Sequence, residues 1–210
     1  MHFLTDKLEF PNVDTANEYG MLAIGGDLST ERLLLAYNSG IFPWYCDGEP
    51  VVWYCPDERM VLYPNELRIS KSMQRILKKG VFKVTFNQAF EEVIYNCKII
   101  ERKDEFGTWI TDEMEDAYIK LHKLGIAKSV EVWRDEKLVG GLYGLEIGNI
   151  FCGESMFSKE SNASKVAFIN LVNLAAKKYE LIDCQIYNEH LASLGAREID
   201  RIEFLKYLTK

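Results

Sequence analysis

"VEVWRDEKLVGGLYGLEIGNIFCG", residues 130–153, decides the fold. Its runs of Val, Leu, Ile, Tyr and Trp are broken by RDEK (134–137) and EIGN (146–149). Apolar runs punctuated by tight polar turns read as consecutive antiparallel strands. A three-strand meander is therefore expected, its last strand running into FCGESMF (151–157).

The elements around it alternate. Upstream come a helix over 70–79, a strand FKVTFN (82–87), a helix over 87–97, a charged loop IIERKDEFG (99–107) and a helix over 111–123. Downstream come a helix from about 162 to 178, a strand LIDCQI (181–186) and a helix over 200–207. A mixed sheet flanked by helices, an α+β order, follows. The first 64 residues differ, being rich in Gly, Pro, Trp and Tyr around one helix that starts at Ser29, a good N-cap, and stops at Gly40. The division expected is a small N-terminal domain over 1–64 and a second domain over 65–210.

The chain has 210 residues, 48% of them hydrophobic and 12% aromatic, enough to bury a full core. No apolar run approaches the roughly 20 residues that span a bilayer, and MHFLTDKLEF is no secretory leader, so a cytoplasmic protein without membrane contact is expected. Five widely spaced cysteines without a CxxC pair or a histidine cluster point to reduced thiols, with neither disulfides nor a metal. A net charge of −7 disfavours nucleic-acid binding by the whole surface. One local basic face remains, where Lys71, Arg75, Lys78 and Lys79 recur at helical spacing in RISKSMQRILKKG (68–80). A solvated outer face of an amphipathic helix gives the same pattern.

Two carboxylates interrupt apolar strands. Glu154 follows Gly153 at the end of the meander, and Asp183 lies in LIDCQI. A buried acid without a partner is costly, so each requires a bonded partner or a cleft. Gln185 is two residues from Asp183 and Met156 two from Glu154, which in a regular strand places each pair on one face. The helix after the meander opens on SKESNASK (158–165), where Ser161, Asn162 and Ser164 are capping types.

The element order is similar to the acyl-CoA N-acetyltransferase architecture. SKESNASK has no glycine, however, and so lacks the Gly-rich loop whose N–H groups would cradle a pyrophosphate. Coenzyme A is thereby disfavoured. GMLAIGGDLS (20–29), AYNSGIFPWY (36–45), WYCPDER (53–59), GTWIT (107–111), EVWRDEKLVGGLYG (131–144), FCGESMFS (151–158), NASK (162–165), LIDCQ (181–185) and ASLGAREI (192–199) occur in one order. Together they resemble the leucyl/phenylalanyl-tRNA-protein transferase family.

That resemblance implies a small N-terminal domain packed on an acetyltransferase-like mixed α/β domain. It also implies an enzyme that moves Leu or Phe from aminoacyl-tRNA to the N-terminal Arg or Lys of acceptor proteins, marking them for degradation by the N-degron pathway. The ester is already activated, so no cofactor or metal is required. Leu142, Phe151, Met156, Phe168, Leu171 and Ile182 match the pocket for the donor side chain, although each could equally be core. Glu154 and Asp183 match the acids that read the acceptor cation, with Asp183 and Gln185 assisting amine deprotonation. Trp44, Trp109, Tyr37 and Tyr118 match aromatics around the terminal adenosine, and Lys71, Arg75, Lys78 and Lys79 fall where tRNA-contacting cations lie. The protein is expected to act as a monomer. Two other readings are an N-acyltransferase with a different donor and a non-catalytic module that binds tRNA ends or N-termini.

Overall fold

The computed structural model describes residues 2–100, 109–176 and 178–208. Most of the expected charged loop, from residue 101 onward, lies outside them.

Two sheets organise the chain. The first holds four short strands, β1 His2–Leu4, β2 Met21–Gly25, β3 Phe42–Pro43 and β4 Val52–Tyr54, in the order β1-β2-β4-β3. Helix α1, Thr30–Asn38, connects β2 to β3. Ser29 caps it by accepting from Arg32 N at 3.3 Å. Gly40 follows at φ +76, a left-handed conformation that favours glycine.

The second sheet has seven strands: β5 Glu58–Leu62, β6 Lys83–Phe86, β7 Ala127–Arg134, β8 Lys137–Ile147, β9 Ile150–Ser158, β10 Leu181–Asp183 and β11 Arg197–Asp200, in the order β11-β5-β10-β9-β8-β7-β6. Its helices are α2 Lys71–Lys79, α3 Phe90–Ile99, α4 Asp112–Lys123, α5 Ala163–Ala175, α6 Glu189–Ala192 and α7 Arg201–Leu208. The expected meander is β7-β8-β9, antiparallel throughout. The expected division after residue 64 moves upstream. β5 already pairs with β10 and β11 in the large sheet, so the change of unit falls between Tyr54 and Glu58.

Apolar side chains fill both faces of the large sheet. Leu33, Val93, Met114, Tyr118 and Phe204 from α1, α3, α4 and α7 belong to one buried cluster. Val166, Phe168 and Val172 of α5 pack with Val130, Leu142 and Phe151 in the other. β9 and β10 form a parallel pair. Parallel neighbours need a long crossover, and α5 supplies it.

Two irregularities in β9 create the site. Opposite β8, Tyr143 pairs with Ser155 and Gly144 with Gly153, so Glu154 has no partner and forms a β-bulge. A bulge re-aims side chains and shifts the alternation by one. That shift explains why Phe151 and Met156, an odd and an even position, both pack in the α5-side cluster. On its other edge β9 pairs with β10 only as far as Cys152 and Asp183, yet it continues to Ser158. Beyond that last pair the sheet opens, with Glu154 at the opening.

Candidate functional site

The opening between β9 and the segment after β10 is a cavity of about 520 Å³, within the usual range of small-molecule sites. Leu142, Phe151, Met156, Phe168, Leu171 and Ile182 all line it. These six residues come from β8, β9, α5 and β10, which the sequence separates widely. The polar side of the same cavity carries Glu154, Gln185, Asn188 and His190. Trp44 and Trp109 form part of its wall, and Trp44 is 39% exposed.

Glu154 is 8% exposed. Its Oε2 accepts from Tyr118 Oη at 3.0 Å, and its Oε1 accepts from Gln185 Nε2 at 3.0 Å. Tyr118 is in turn hydrogen-bonded to the hydroxyl of Tyr37. Burial pushes the Glu154 carboxyl up to about 7 against the opposing pull of the two tyrosine hydroxyls and of Gln185, with nearby Asp183 adding to the rise. At neutral pH this group exchanges a proton readily, which an ordinary carboxylate does not.

The raised value also fixes a stability effect. A carboxyl whose folded value lies above its ordinary 4.5 contributes its stability below 4.5 and loses it as pH rises through about 7. A difference of that size corresponds to about 3 kcal/mol lost well above pH 7. Glu154→Gln, which cannot ionise, is therefore expected to melt higher than the wild type at pH 8 and close to it at pH 4. Thermal unfolding at the two pH values checks this.

Asp183 occupies a different environment from the one expected. It is 0% exposed, and its two oxygens accept from Arg59, Oδ1 from Nε at 2.8 Å and Oδ2 from Nη2 at 2.7 Å. A carboxylate held by a two-pronged guanidinium is neither an open cation receptor nor a free proton acceptor. Where an open carboxylate was expected, Asp183 is thus an ion-paired one at the cavity wall. Oδ1 also accepts from the backbone N of Gln185 at 2.9 Å. The strand ends at Asp183, and Gln185 sits at φ +64 in the left-handed region. Gln185 thus reaches Glu154 through a tight turn, not by sharing a strand face with Asp183.

Three further expectations change. Tyr37 and Tyr118 are 1% and 0% exposed and line no part of the cavity, so they cannot stack on a nucleoside; they stand behind Glu154 and hold it. Met156 does not share a strand face with Glu154, although both line the cavity. The bulge turns Glu154 toward α4 and α1, where Tyr118 and Tyr37 lie, while Met156 pairs with Leu142. The cap of α5 comes from none of the expected residues: Asn162 makes no capping side-chain bond, and Ser158 Oγ accepts from Ser164 N at 3.3 Å.

Lys71, Arg75, Lys78 and Lys79 are exposed on α2, and none forms an ion pair among the described residues. α2 lies outside the cavity wall. Among the described residues no group of three or more metal-binding side chains converges, and no helix is long and apolar enough to cross a membrane.

Sequence reasoning missed Arg59 and His190. Arg59 had a readable signal, a lone cation in the apolar strand ERMVL that could answer the lone acid in LIDCQI. His190 lines the cavity with an Nε2 that has no hydrogen-bond partner among the described residues. Burial and then the charge of Lys165 hold its imidazole below its ordinary value.

A family model described as leucyl/phenylalanyl-tRNA protein transferase matches residues 61–209, and the model of that family's N-terminal domain matches residues 26–57. Among curated relatives bearing that name, the one from Flavobacterium psychrophilum is 59% identical over 211 residues, covering 100% of both chains. The one from Flavobacterium johnsoniae is 62% identical over 209 residues, covering 99% of each. Among solved structures, that of FemX superposes with a TM-score of 0.55 at 11% identity, covering 82% of this chain and 67% of that one, a likeness of fold.

Proposed function

The chain belongs to the leucyl/phenylalanyl-tRNA protein transferase family, an aminoacyltransferase family, and on that premise we propose how its cavity works. Leu or Phe arrives as the ester of tRNA and leaves as an amide on the N-terminal Arg or Lys of an acceptor protein, which is thereby marked for degradation. The observation that carries this reading is the two-sided cavity, with six apolar side chains on one side and the Glu154–Gln185 pair on the other.

Leu142, Phe151, Met156, Phe168, Leu171 and Ile182 take the donor side chain. The unbranched thioether of Met156 adapts to both a branched and a planar guest. Trp44 and Trp109 provide ring faces for the terminal adenosine, where stacking is worth about 1–3 kcal/mol. The incoming α-amine lies against Gln185, whose Nε2 is already committed to Glu154 and whose amide oxygen can accept from the amine. The amine nitrogen attacks the ester carbonyl, the C–N bond forms and the ribose C–O bond breaks. Glu154 takes the proton that the nitrogen loses and passes it to the leaving ribose oxygen, which regenerates the carboxylate.

This assignment transfers the proton-accepting role from Asp183 to Glu154. Glu154 and Asp183 are the two acids lining the cavity, and Asp183 is neutralised by Arg59. The charge of Glu154 therefore supplies the negative field that favours a cationic acceptor.

Offering labelled Phe-tRNA, acetyl-CoA and an Arg-starting peptide together tests the reading. The peptide should gain Phe and no acetyl group. Gain of an acetyl group, or binding of the tRNA without transfer, would favour one of the other two readings.

The exposed cations of α2 are assigned to the tRNA backbone. Lys71→Ala combined with Arg75→Ala should weaken aminoacyl-tRNA binding and flatten its salt dependence, since each lost phosphate contact lowers the slope by about 0.7–0.9. Binding measured across a salt series checks this, and an unchanged slope would return α2 to a solvated face.

A further inference from the structure

WYCPDER (53–59) belongs to none of the roles above, although its last residue is the most enclosed cation near the cavity. The Arg59 side chain is 2% exposed. Its guanidinium lies 4.7 Å from the ring centre of Phe42 and 4.6 Å from that of Phe204. Besides its two bonds to Asp183, it donates from Nη1 to Gly40 O at 3.1 Å. Burial opposes its charge, and the Asp183 carboxylate outweighs that and holds the guanidinium above its ordinary value.

We propose that Arg59 is a positioning residue for transfer, acting through Asp183 to fix the turn that presents Gln185 to Glu154. This rests on the reading of Gln185 and Glu154 given above. The chain of contacts is continuous. Arg59 holds both oxygens of Asp183, Asp183 Oδ1 holds the backbone N of Gln185, and Gln185 Nε2 reaches Glu154 Oε1. Each link is needed because Gln185 is at φ +64, a conformation that non-glycine residues seldom adopt without a contact that enforces it. Beyond Asp183 the backbone ladder to β5 continues, Cys184 N donating to Met60 O at 2.8 Å and Met60 N to Gln185 O at 3.1 Å, but it leaves the N–H of Gln185 to the Asp183 side chain. The Asp183 carboxylate holds that N–H, and the guanidinium that grips both its oxygens fixes its orientation.

The two rings explain why the cation must be arginine. A planar guanidinium stacks on aromatic faces and bonds a carboxylate with two parallel N–H groups at once, whereas an ammonium offers a point charge without the planar fork. Phe204 belongs to α7 and Phe42 to β3. One end of the cavity is thus registered against the first sheet and the last helix through a single side chain.

Single-turnover transfer from Phe-tRNA to an Arg-starting peptide, measured for Arg59→Lys, Gln185→Ala and the double variant, tests the proposal. Arg59→Lys should slow transfer by about 10²-fold, the cost of a misplaced reacting group, with aminoacyl-tRNA binding unchanged. The double variant should be no slower than Gln185→Ala, because residues acting as one unit do not add. Losses that multiply, or a wild-type rate for Arg59→Lys, would overturn the proposal. A wild-type rate for Gln185→Ala would instead remove the reading on which it rests. If Arg59→Lys does not accumulate as folded protein, Phe204→Leu takes its place. It removes one ring from the guanidinium and leaves every polar contact, and the same non-additivity with Gln185→Ala is required.

Discussion

Glu154→Gln is expected to lower the transfer rate by about 10²–10⁴-fold, the usual cost of removing a general base, while leaving aminoacyl-tRNA binding near that of the wild type. The variant keeps the shape of the site. Tyr118 can still donate to the new amide oxygen, and Gln185, which is only partly buried, can turn its own amide to accept. The apolar side chains that hold Leu or Phe are untouched, so the loss should appear in turnover. Rapid-quench transfer with saturating Phe-tRNA measures it. The same variant should be more stable above neutral pH, so gain of stability and loss of activity are expected in one substitution.

Gly144→Ala is expected to produce the largest stability change. A Cβ at this position would stand 2.2 Å from the carbonyl oxygen of Cys152 and 2.7 Å from the ring of Phe151. The first neighbour is backbone on the paired strand and cannot move without breaking the β8–β9 ladder beside the bulge. Overpacking of a well-filled site costs about 1–3 kcal/mol, and a clash with backbone belongs at the upper end or beyond. For a chain of this size that corresponds to a fall in Tm of about 5–10 °C. Because Phe151 lines the cavity, the surviving folded protein should also bind Phe-tRNA less tightly. Calorimetry and a donor titration check the two effects, and Leu-tRNA should suffer less than the bulkier Phe-tRNA.

Much of the architecture was legible because hydrophobic period and turn composition are local. The meander, α1 with its Ser29 cap, and α2 ending at Gly80 all appear where the sequence places them. α3 begins at Phe90, not at residue 87, because Asn87 is used otherwise. Its side chain accepts from Ser129 N at 2.9 Å and its backbone stands at φ +57, which ties off the end of the β6–β7 pair. β5 was assigned to the wrong side of the division because five residues of ERMVL carry no information about which sheet they will join.

The site was legible as a set of residues and not as an arrangement. Its apolar members were identified through the family resemblance, and all six converge on the cavity. The roles of the polar members depend on features without a local signature. A single bulged residue reverses the facing of everything after it, so counting by twos from Glu154 gave Met156 the wrong strand face, although it does line the cavity. Tyrosine is as much at home in a core as on a surface, and Tyr37 and Tyr118 are buried as the support of Glu154. The pairing of Arg59 with Asp183 spans 124 positions in sequence, and strand patterns alone cannot select such a partner.

The most direct test of this account is the pH dependence of kcat/KM for an Arg-starting peptide with aminoacyl-tRNA saturating. That ratio reports the ionisations of the free base and the free amine. Glu154 loses its proton near 7, and the peptide α-amine loses its own at about 8. Both must be deprotonated for attack, so the wild-type profile should rise with a log-log slope of about 2 below pH 6 and level off above about pH 8.5. In Glu154→Gln only the amine remains to titrate, and the slope should fall to about 1 over the whole rising limb. A wild-type slope of about 1, or a Glu154→Gln profile parallel to the wild type, would contradict the assignment of Glu154 as proton acceptor.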